Sequence, residues 1–243
     1  ITYPNNPKFK KDLIMKNIVI IGGSHGIGLE TVKILSQEHQ VHLFSRTAPE
    51  VSLPHVNHSV FDVLTDTFPI DEINVPIDGF VYCPGSINLK PLKMLSNEAF
   101  RADMEINFFA MLPIVQAIMP KMSEGSSMVF YSTVAVAMGM PFHASIAAAK
   151  GAVEGFVKSI AAENAPKLRV NCIAPSLTNT PLAGRLLNND KKKEMMDARH
   201  PLKRVGTAVD IAEMTVFLLS DKSSWMSGQI IGLDGGMGSL NVH

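Results

Sequence analysis

Short runs rich in β-branched residues recur along the chain and alternate with longer segments of helical periodicity. We predict strands at Asn17–Ile21, Val41–Ser45, His58–Phe61, Gly79–Cys83, Ser127–Ser132, Arg169–Ile173 and Gln229–Gly232. The predicted helices are Gly26–Glu38, Asn97–Met122, His143–Asn164, Pro181–Arg199 and Val209–Leu219, the last started by a cap signal at Asp210. Strands that alternate with helices pair in parallel, because a parallel connection needs a crossover. The sequence therefore predicts an α/β fold, a Rossmann-like, doubly wound, seven-stranded parallel sheet that binds ligands beyond the carboxyl ends of its strands.

Length and charge limit what such a chain can be. With 243 residues, 46% of them hydrophobic, the chain can bury one good core, and we expect a single domain over residues 15–243. Residues 1–14 are polar and rich in Pro, Asn and Lys, and we interpret them as an N-terminal extension that is either foreign or disordered. Lys plus Arg equals Asp plus Glu, at 22 each, so no net field attracts nucleic acid or an anionic membrane.

Apolar stretches and cysteines indicate the setting of the protein. The stretch from Met128 to Phe142 is uncharged, but Gly139, Pro141 and hydroxyl residues interrupt it, short of the roughly 18 apolar residues of a membrane span. Cys83 and Cys172 lie in apolar strand-like runs, where reduced thiols are favoured over a disulfide. We therefore expect a cytoplasmic protein with a small-molecule substrate, without nucleic-acid or membrane partners and without a metal site.

A glycine-rich turn follows the first predicted strand and opens the first predicted helix. Gly22 suits a tight turn, Gly26 lets a pyrophosphate approach the backbone, and Gly28 lets the helix pack closely on the strand. The N–H groups at the helix start would then face the phosphates, in the stretch Ser24, His25, Gly26 and Ile27. This context favours a dinucleotide site over a turn that only connects two elements.

The spacing Gly-x-x-x-Gly-x-Gly resembles that of the short-chain dehydrogenase/reductase family, and further similar blocks follow from Lys16 to about Gly236. They are Asp62-Val63, EINFFA, STVAVAMG, HASIAAAKGAVEGFVKSIA, RVNCIAPSLTNT and GQIIGLDGG. The resemblance implies an NAD(P)-dependent oxidoreductase, a homodimer or homotetramer, and a mobile lid at about residues 177–206. It also implies further cofactor contacts, at Asp62 and Val63 for the adenine and at Gly85, Pro175 and Thr180.

The end of the second predicted strand bears on which nicotinamide cofactor is used. NAD-preferring members of the family place an acidic residue there to hold the ribose 2′-hydroxyl, whereas this chain reads Ser45-Arg46. The Arg46 guanidinium could grip a 2′-phosphate in a bidentate manner, with help from His25. NADP(H) is therefore favoured, and NAD(H) is the alternative if Arg46 is only a solvated turn residue.

The catalytic set implied by the resemblance is incomplete. The family uses a Ser–Tyr–Lys constellation supported by Asn, and this chain offers Lys150, Asn107 and a hydroxyl at Thr133 in the position of the serine. The tyrosine is expected four residues before the lysine, where this chain has Ile146. Isoleucine has no proton to transfer, so another group has to supply it.

His143 is the preferred replacement for the missing phenol. Seven residues at about 100° each return it to within about 20° of Lys150 on the helix, about 10 Å along the axis. Its unperturbed pKa near 6.5 suits proton transfer at neutral pH. Tyr131, Tyr82 and a water held by Lys150 and Thr133 are alternative donors, and His143 could instead have a structural or capping role.

These residues favour hydride transfer between NADP(H) and a carbonyl, hydroxyl or activated double bond. An apolar substrate pocket is expected from side chains of the lid and of the segment before the helix of Lys150, namely Leu182, Leu186, Leu187, Met195, Met196, Met138 and Met140. Two residues depart from the family's pattern. Pro84 lies in the turn beneath the nicotinamide, and Ser176 replaces the glycine of the Pro-Gly turn. The alternative is a non-catalytic NADP(H)-binding sensor or structural paralogue.

Overall fold

The computed structural model describes residues 15–241, so the predicted extension at 1–14 lies outside the described residues. The strands are β1 (Asn17–Ile21), β2 (Gln40–Ser45), β3 (Val56–Val60), β4 (Ile77–Tyr82), β5 (Met122–Tyr131), β6 (Leu168–Pro175), β7 (Thr178–Asn179), β8 (Gly206–Thr207) and β9 (Ile230–Leu233). Seven of them form one parallel sheet in the order β3-β2-β1-β4-β5-β6-β9, and β7 pairs with β8. The predicted doubly wound seven-stranded sheet is confirmed.

Helices cover both faces of this sheet. They are α1 (Gly26–Leu35), α2 (Asn97–Met104), α3 (Met111–Ile118), α4 (Ala135–Met138), α5 (Ala144–Asn164), α6 (Asp190–Arg199) and α7 (Ala208–Leu219). Short 3₁₀ turns lie at Ile70–Glu72, Leu92–Met94, Met119–Lys121, Pro181–Leu186 and Asp221–Ser223. The Pro-rich stretch between β2 and β3 contains no helix.

The core lies in two layers, one on each face of the sheet. In β1, Val19 and Ile21 belong to one buried cluster, and Ile18 and Ile20 belong to the other. All four are fully buried. A strand covered on both faces needs apolar residues in both alternating sets, which explains why β1 reads as a continuous apolar run.

The predicted helix Asn97–Met122 is interrupted. A π-helical turn, Glu105–Phe109, separates α2 from α3, and Met122 begins β5 instead of ending a helix. The run Asn97–Lys121 is long and apolar enough to cross a membrane by length and composition. Its side chains Met111, Ile114 and Ile118 lie in the buried core.

The prediction of one helix over Pro181–Arg199 was wrong. A 3₁₀ turn covers Pro181–Leu186, and α6 starts only at Asp190 because the Asn189 side chain caps it, accepting from the Lys192 N–H at 2.9 Å. The cap assigned to Asp210 was also misplaced. Thr207 is the N-cap of α7, and Asp210 returns the bond as the third helical residue of a capping box.

Candidate active site

A cavity of about 1030 Å³ runs along the carboxyl ends of the central strands. It lies at the point where the strand order reverses, between β1 and β4, which is where open α/β sheets bind ligands. Every residue predicted for the cofactor or for catalysis lines it: Gly22, Ser24, His25, Gly26, Ile27, Gly28, Ser45, Arg46, Asp62, Val63, Gly85, Asn107, Thr133, His143, Lys150, Pro175 and Thr180. The fold thus brings together residues that are far apart in the sequence.

The glycine-rich turn has the backbone geometry of a phosphate cradle. Gly22 and Gly26 adopt φ of +81° and +56°, which favour glycine. A Cβ at Gly28 would collide with the Gly22 carbonyl oxygen. His25 precedes α1 in an extended conformation and its side chain does not cap the helix. The first N–H groups of α1 are therefore available to an anion, and the residues fit a dinucleotide pyrophosphate.

The end of β2 presents a cation at the rim of the cavity. Arg46 is exposed and forms no ion pair or hydrogen bond with any other described residue. Ser24 lies beside it in the cavity wall, 2.9 Å from His25 Nδ1 and 3.3 Å from the Thr47 hydroxyl. Ser45, by contrast, is buried, and its hydroxyl donates to the Thr47 carbonyl at 2.9 Å. Arg46 and the neighbouring hydroxyls can therefore reach a ligand, whereas the Ser45 hydroxyl is already engaged.

Lys150 and Asn107 both border the space beside Gly85. A Cβ placed on Gly85 would lie 2.9 Å from Asn107 Oδ1 and 3.6 Å from Lys150 Nζ, so only glycine leaves this space open. Burial lowers the pKa of Lys150 to about 8, against smaller opposing effects from Cys172 and Cys83. Burial also raises the pKa of each thiol to about 12, so both cysteines are neutral at pH 7.

Ser86 and Asp103, which were not predicted as site residues, hold the side chain of Asn107 by hydrogen bonds. Its Nδ2 donates to Ser86 Oγ at 2.9 Å and to the Asp103 carbonyl at 2.8 Å, and the Ser86 hydroxyl donates to Asp103 Oδ1 at 2.6 Å. Asn107 Oδ1 is buried without a hydrogen-bond partner among the described residues. Because the π-helical turn and these bonds fix the side chain, this oxygen is presented at the space beside Gly85.

Thr133 stands where β5 meets β6. The Val134 N–H donates to the Pro175 carbonyl at 3.1 Å, which places Thr133 beside the end of β6. The Thr133 hydroxyl accepts from the Ala135 N–H at 3.3 Å and retains its proton for a ligand oxygen. Thr133 can therefore act as a donor to an oxygen in the cavity.

His143 directly precedes α5, with one ring nitrogen engaged and the other without a partner among the described residues. Its Nδ1 lies 2.8 Å from the Pro141 carbonyl, which can only accept, so Nδ1 carries a proton. Nε2 is then the ring nitrogen that can meet a ligand. Phe142 holds a left-handed φ of +72°, stabilised by its carbonyl accepting from the Lys90 N–H at 3.2 Å. Ile146 lines the cavity with 5% exposure.

The two tyrosines considered as alternative donors are engaged elsewhere. The Tyr131 hydroxyl lies 2.7 Å from Thr215 Oγ1 on α7, and the Tyr82 hydroxyl donates to the Ile106 carbonyl at 3.0 Å. Burial raises the pKa of both phenols above the ordinary value. A buried, engaged phenol of raised pKa is poorly suited to exchange protons with a ligand, so the structure argues against both.

The lid side of the cavity has both apolar and polar lining, and the predicted apolar set is found in part. Of the predicted side chains, Leu182, Leu186, Met196 and Met140 line it, whereas Leu187, Met195 and Met138 do not. Phe142 and Met237 add to the apolar wall, and Ser176, Arg199 and His200 were not predicted to line it. Ser176 Oγ lies 2.9 Å from His200 Nε2, so the fold brings the residue after β6 against the residue after α6.

Comparisons with known proteins agree with this geometry. A family model described as enoyl-(acyl carrier protein) reductase matches residues 59–238. The chain is 31% identical to the 3-oxoacyl-[acyl-carrier-protein] reductase FabG of Thermotoga maritima over 242 residues, covering 91% of this chain and 97% of the relative. It is 27% identical to FabG of Chlamydia trachomatis serovar D over 245 residues, covering 93% and 98%.

A solved structure shows the same fold and extends the comparison. The ligand-free aldohexose dehydrogenase of Thermoplasma acidophilum superposes with a TM-score of 0.86 at 26% identity, covering 96% of this chain and 98% of that chain. Similarity to these relatives extends over nearly all of their length. The chain therefore belongs to the short-chain dehydrogenase/reductase family of NAD(P)-dependent oxidoreductases.

Proposed function

We propose that the protein is an NADP(H)-dependent oxidoreductase that transfers hydride between nicotinamide and a carbonyl or hydroxyl carbon of a small apolar substrate. The observation that carries this proposal is the convergence of Lys150, Asn107, Thr133 and His143 on one cavity that also contains the phosphate cradle. A bound nicotinamide would supply or accept the hydride. The chain's own residues have to place the ribose, orient the reacting oxygen and move one proton.

Each of these tasks has a suitable group. The Lys150 ammonium donates to ribose hydroxyls, and the Thr133 hydroxyl donates to the reacting oxygen. His143 in its protonated form gives the Nε2 proton to that oxygen during reduction and takes it back during oxidation, while Nδ1 stays bonded to the Pro141 carbonyl. Ile146, in the position expected for the family's tyrosine, provides apolar surface and no proton.

NADP(H) is the preferred cofactor because of Arg46. It is a cation without an ion-pair partner among the described residues, at the end of β2 where an acid would hold a ribose 2′-hydroxyl. A guanidinium matches a phosphate in charge and geometry. The solved gluconate 5-dehydrogenase of Burkholderia cenocepacia, in complex with NADP and tartrate, has the same fold with a TM-score of 0.84 at 24% identity.

Reduction of an activated double bond is a second candidate reaction. It requires less help from an acid at oxygen than carbonyl reduction does, which suits a site with isoleucine at position 146. The enoyl-(acyl carrier protein) reductase description of the matching family model favours it further. The apolar lid wall accommodates either kind of substrate.

A non-catalytic NADP(H)-binding protein, either a sensor or a structural paralogue, is the alternative to an enzyme. Ile146 favours it, whereas the retained Lys150, Asn107 and Thr133 hydroxyl favour turnover. We also expect a cytoplasmic homodimer or homotetramer, for which the 47% exposed Phe109 beside α3 offers apolar surface.

Two measurements test the proposal. Calorimetry should detect NADPH binding to the purified chain, and NADPH oxidation should appear with at least one member of a panel of alkyl ketones and enoyl thioesters. NADPH binding that raises the Tm without turnover of any panel member would support the sensor instead. Failure to bind either NADPH or NADH would refute both.

A further inference from the structure

Ser176 and His200 form a pair in the cavity wall that none of the roles above uses. Ser176 Oγ lies 2.9 Å from His200 Nε2, and His200 Nδ1 lies 2.8 Å from the Met196 carbonyl. Both side chains line the cavity, and His200 is only 2% exposed. The imidazole thus connects the residue that follows β6 with the lid helix α6.

The hydrogen-bond partners indicate which atom of the Ser176–His200 pair donates the proton. The Met196 carbonyl can only accept, so His200 Nδ1 carries a proton, and the tautomer with a single ring proton has its lone pair at Nε2. That lone pair accepts the Ser176 hydroxyl proton. Ser176 Oγ is left with lone pairs and no proton to donate, so the ligand group that it suits is an O–H or N–H donor.

The ring is held from its other side as well. A Cβ on Gly235 would lie 3.6 Å from His200 Cβ and 3.7 Å from its Cδ2, so the turn after β9 packs directly against the imidazole. The Gly235 carbonyl also accepts from the Leu202 N–H at 3.2 Å, two residues beyond the histidine. The acceptor at Ser176 is therefore preorganised before any ligand arrives.

The position of Ser176 relates it to Thr133. Tyr131 is paired with Ile173, and the Val134 N–H binds the Pro175 carbonyl at 3.1 Å, so the two chain segments leave the sheet side by side. Neighbouring strands lie about 4.8 Å apart. A ligand whose reacting oxygen meets Thr133 can reach Ser176 with a second polar group one or two carbons away.

Apolar side chains also line the cavity that Ser176 faces. Leu177, Leu186, Met196 and Met237 are among them, together with the charged Arg199. A substrate that fits this cavity therefore needs one hydrogen-bond donor close to its reacting carbon, to pair with Ser176. The rest of the substrate should be hydrocarbon.

We propose that Ser176, positioned by His200, binds a hydroxyl or amide N–H on the substrate, one or two carbons from the reacting carbon. The inference rests on the proposed function for the identity of the reacting carbon. It deepens that function by naming the substrate class: apolar ketones, or the corresponding alcohols, that carry a neighbouring hydroxyl or amide.

The test compares product-like alcohols that differ by one hydroxyl. Calorimetry on the full chain, with and without saturating NADP⁺, measures Kd for 2-octanol, octane-1,2-diol and octane-2,4-diol. We expect one of the diols to bind the wild-type protein about tenfold more tightly than 2-octanol, the effect of one net hydrogen bond. Ser176→Ala should abolish this preference and leave the affinity for 2-octanol within about twofold.

Control variants separate binding from stability. Ser239→Ala removes an exposed hydroxyl near the same end of the molecule and should keep the diol preference. His200→Gln retains a side-chain oxygen that can accept the Ser176 proton and should keep most of the preference, whereas His200→Leu should lose it. The Tm of each variant shows whether it is folded, and Ser176→Ala alone decides the matter if His200→Leu is not.

Three results would overturn the inference. They are the absence of any diol preference in the wild-type protein, a preference that survives Ser176→Ala, and an equal loss of affinity for 2-octanol and the diols. Weaker NADPH binding by Ser176→Ala with an unchanged diol preference would assign the serine to the cofactor instead. Because the diol measurement needs no turnover, it remains decisive if no ketone is reduced and the proposed function fails.

Discussion

At one end of the cavity the prospective ligand contacts come from the backbone, and at the other they come from side chains. The phosphate cradle depends on the conformations of Gly22 and Gly26 and on the N–H groups that start α1. The catalytic end depends on a hydroxyl at Thr133, an amine at Lys150 and an imidazole at His143. The first end has the predicted glycine-rich turn, and the second presents Ile146, which carries no titratable group.

The contrast indicates that binding and proton transfer are separable in this fold. A backbone cradle needs only glycine where a Cβ would collide, as at Gly28. Proton transfer needs a particular titratable atom within reach of the ligand, and several chain positions can supply one. Changes to the proton donor should therefore leave the phosphate cradle nearly unaffected, and the His143→Ala variant below tests that independence.

The largest effect is expected from His143→Ala. Loss of a general acid typically lowers the rate by about 10²–10⁴-fold, so kcat should fall by that factor while the Kd for NADPH stays the same. Steady-state kinetics and calorimetry measure the two quantities. His55→Asn, which changes an exposed histidine away from the cavity, serves as the control. An unchanged kcat in folded His143→Ala removes the histidine from the mechanism.

Placing a phenol at position 146 is the next test. In the His143→Ala background, Ile146→Tyr places a hydroxyl one helical turn before Lys150 and should recover about 10²-fold of the lost rate. Ile146→Phe adds a ring of similar size without the hydroxyl and should recover nothing. Equal rates for the two double variants, both shown to be folded, would contradict the view that only a proton donor is missing at this position.

The other end is tested by Arg46→Ala. Loss of a charge-assisted contact of about 1.5–3 kcal/mol should weaken NADPH binding by about 10- to 150-fold, and NADH binding should change by less than about twofold. Arg101→Ala, on the exposed side of α2, is the matched control. A similar loss for both cofactors would show that Arg46 does not recognise a 2′-phosphate.

The smallest expected effect is a pH dependence of NADPH binding, caused by the charge of Lys150. Its amine is charged below its pKa of about 8 and neutral above it, so NADPH affinity should fall by up to about tenfold between pH 7 and pH 9. Lys150→Arg keeps its charge over this range and should give a flatter profile. Superimposable profiles for the two proteins would exclude this lysine as the titrating group.

The lowered pKa of Lys150 also affects the stability of the free protein, and there a rise in pH is stabilising. The folded chain releases the Lys150 proton near pH 8, and an unfolded lysine releases it near pH 10.4, so the unfolded state binds more protons between these values. The contribution of Lys150 to the free energy of unfolding should therefore rise from pH 8 to pH 10.4. Denaturant unfolding of the wild-type protein relative to Lys150→Met measures it.

The sheet and the cofactor end could be predicted because their signals are local. The β1 strand was predicted at its observed bounds, since a strand buried on both faces must be apolar throughout. The glycine turn was readable because position, spacing and the following helix coincide. The predicted site residues line one cavity because parallel strands deliver their carboxyl ends to the same edge.

The features that were missed depend on contacts between distant segments. Asp103 reads as an ordinary polar helix residue, and only the fold places it against Ser86 and beneath Asn107. His200 lies 24 residues from Ser176, and no periodic pattern relates them. The break before α6 was missed because the helical pattern was read across Asn189, whose capping side chain competes with the backbone for the helix start.

The short ladder between β7 and β8 ties both ends of the lid segment together. Thr178 pairs with Gly206 and Asn179 with Thr207, so the residues between them form a loop closed at its base. A Cβ on Gly206 would lie 3.2 Å from Thr178 Oγ1, so the two paired strands are closely packed at this point. The start of this segment is thereby fixed beside the phosphate cradle, where a Cβ on Gly26 would lie 3.4 Å from Thr180 Cβ.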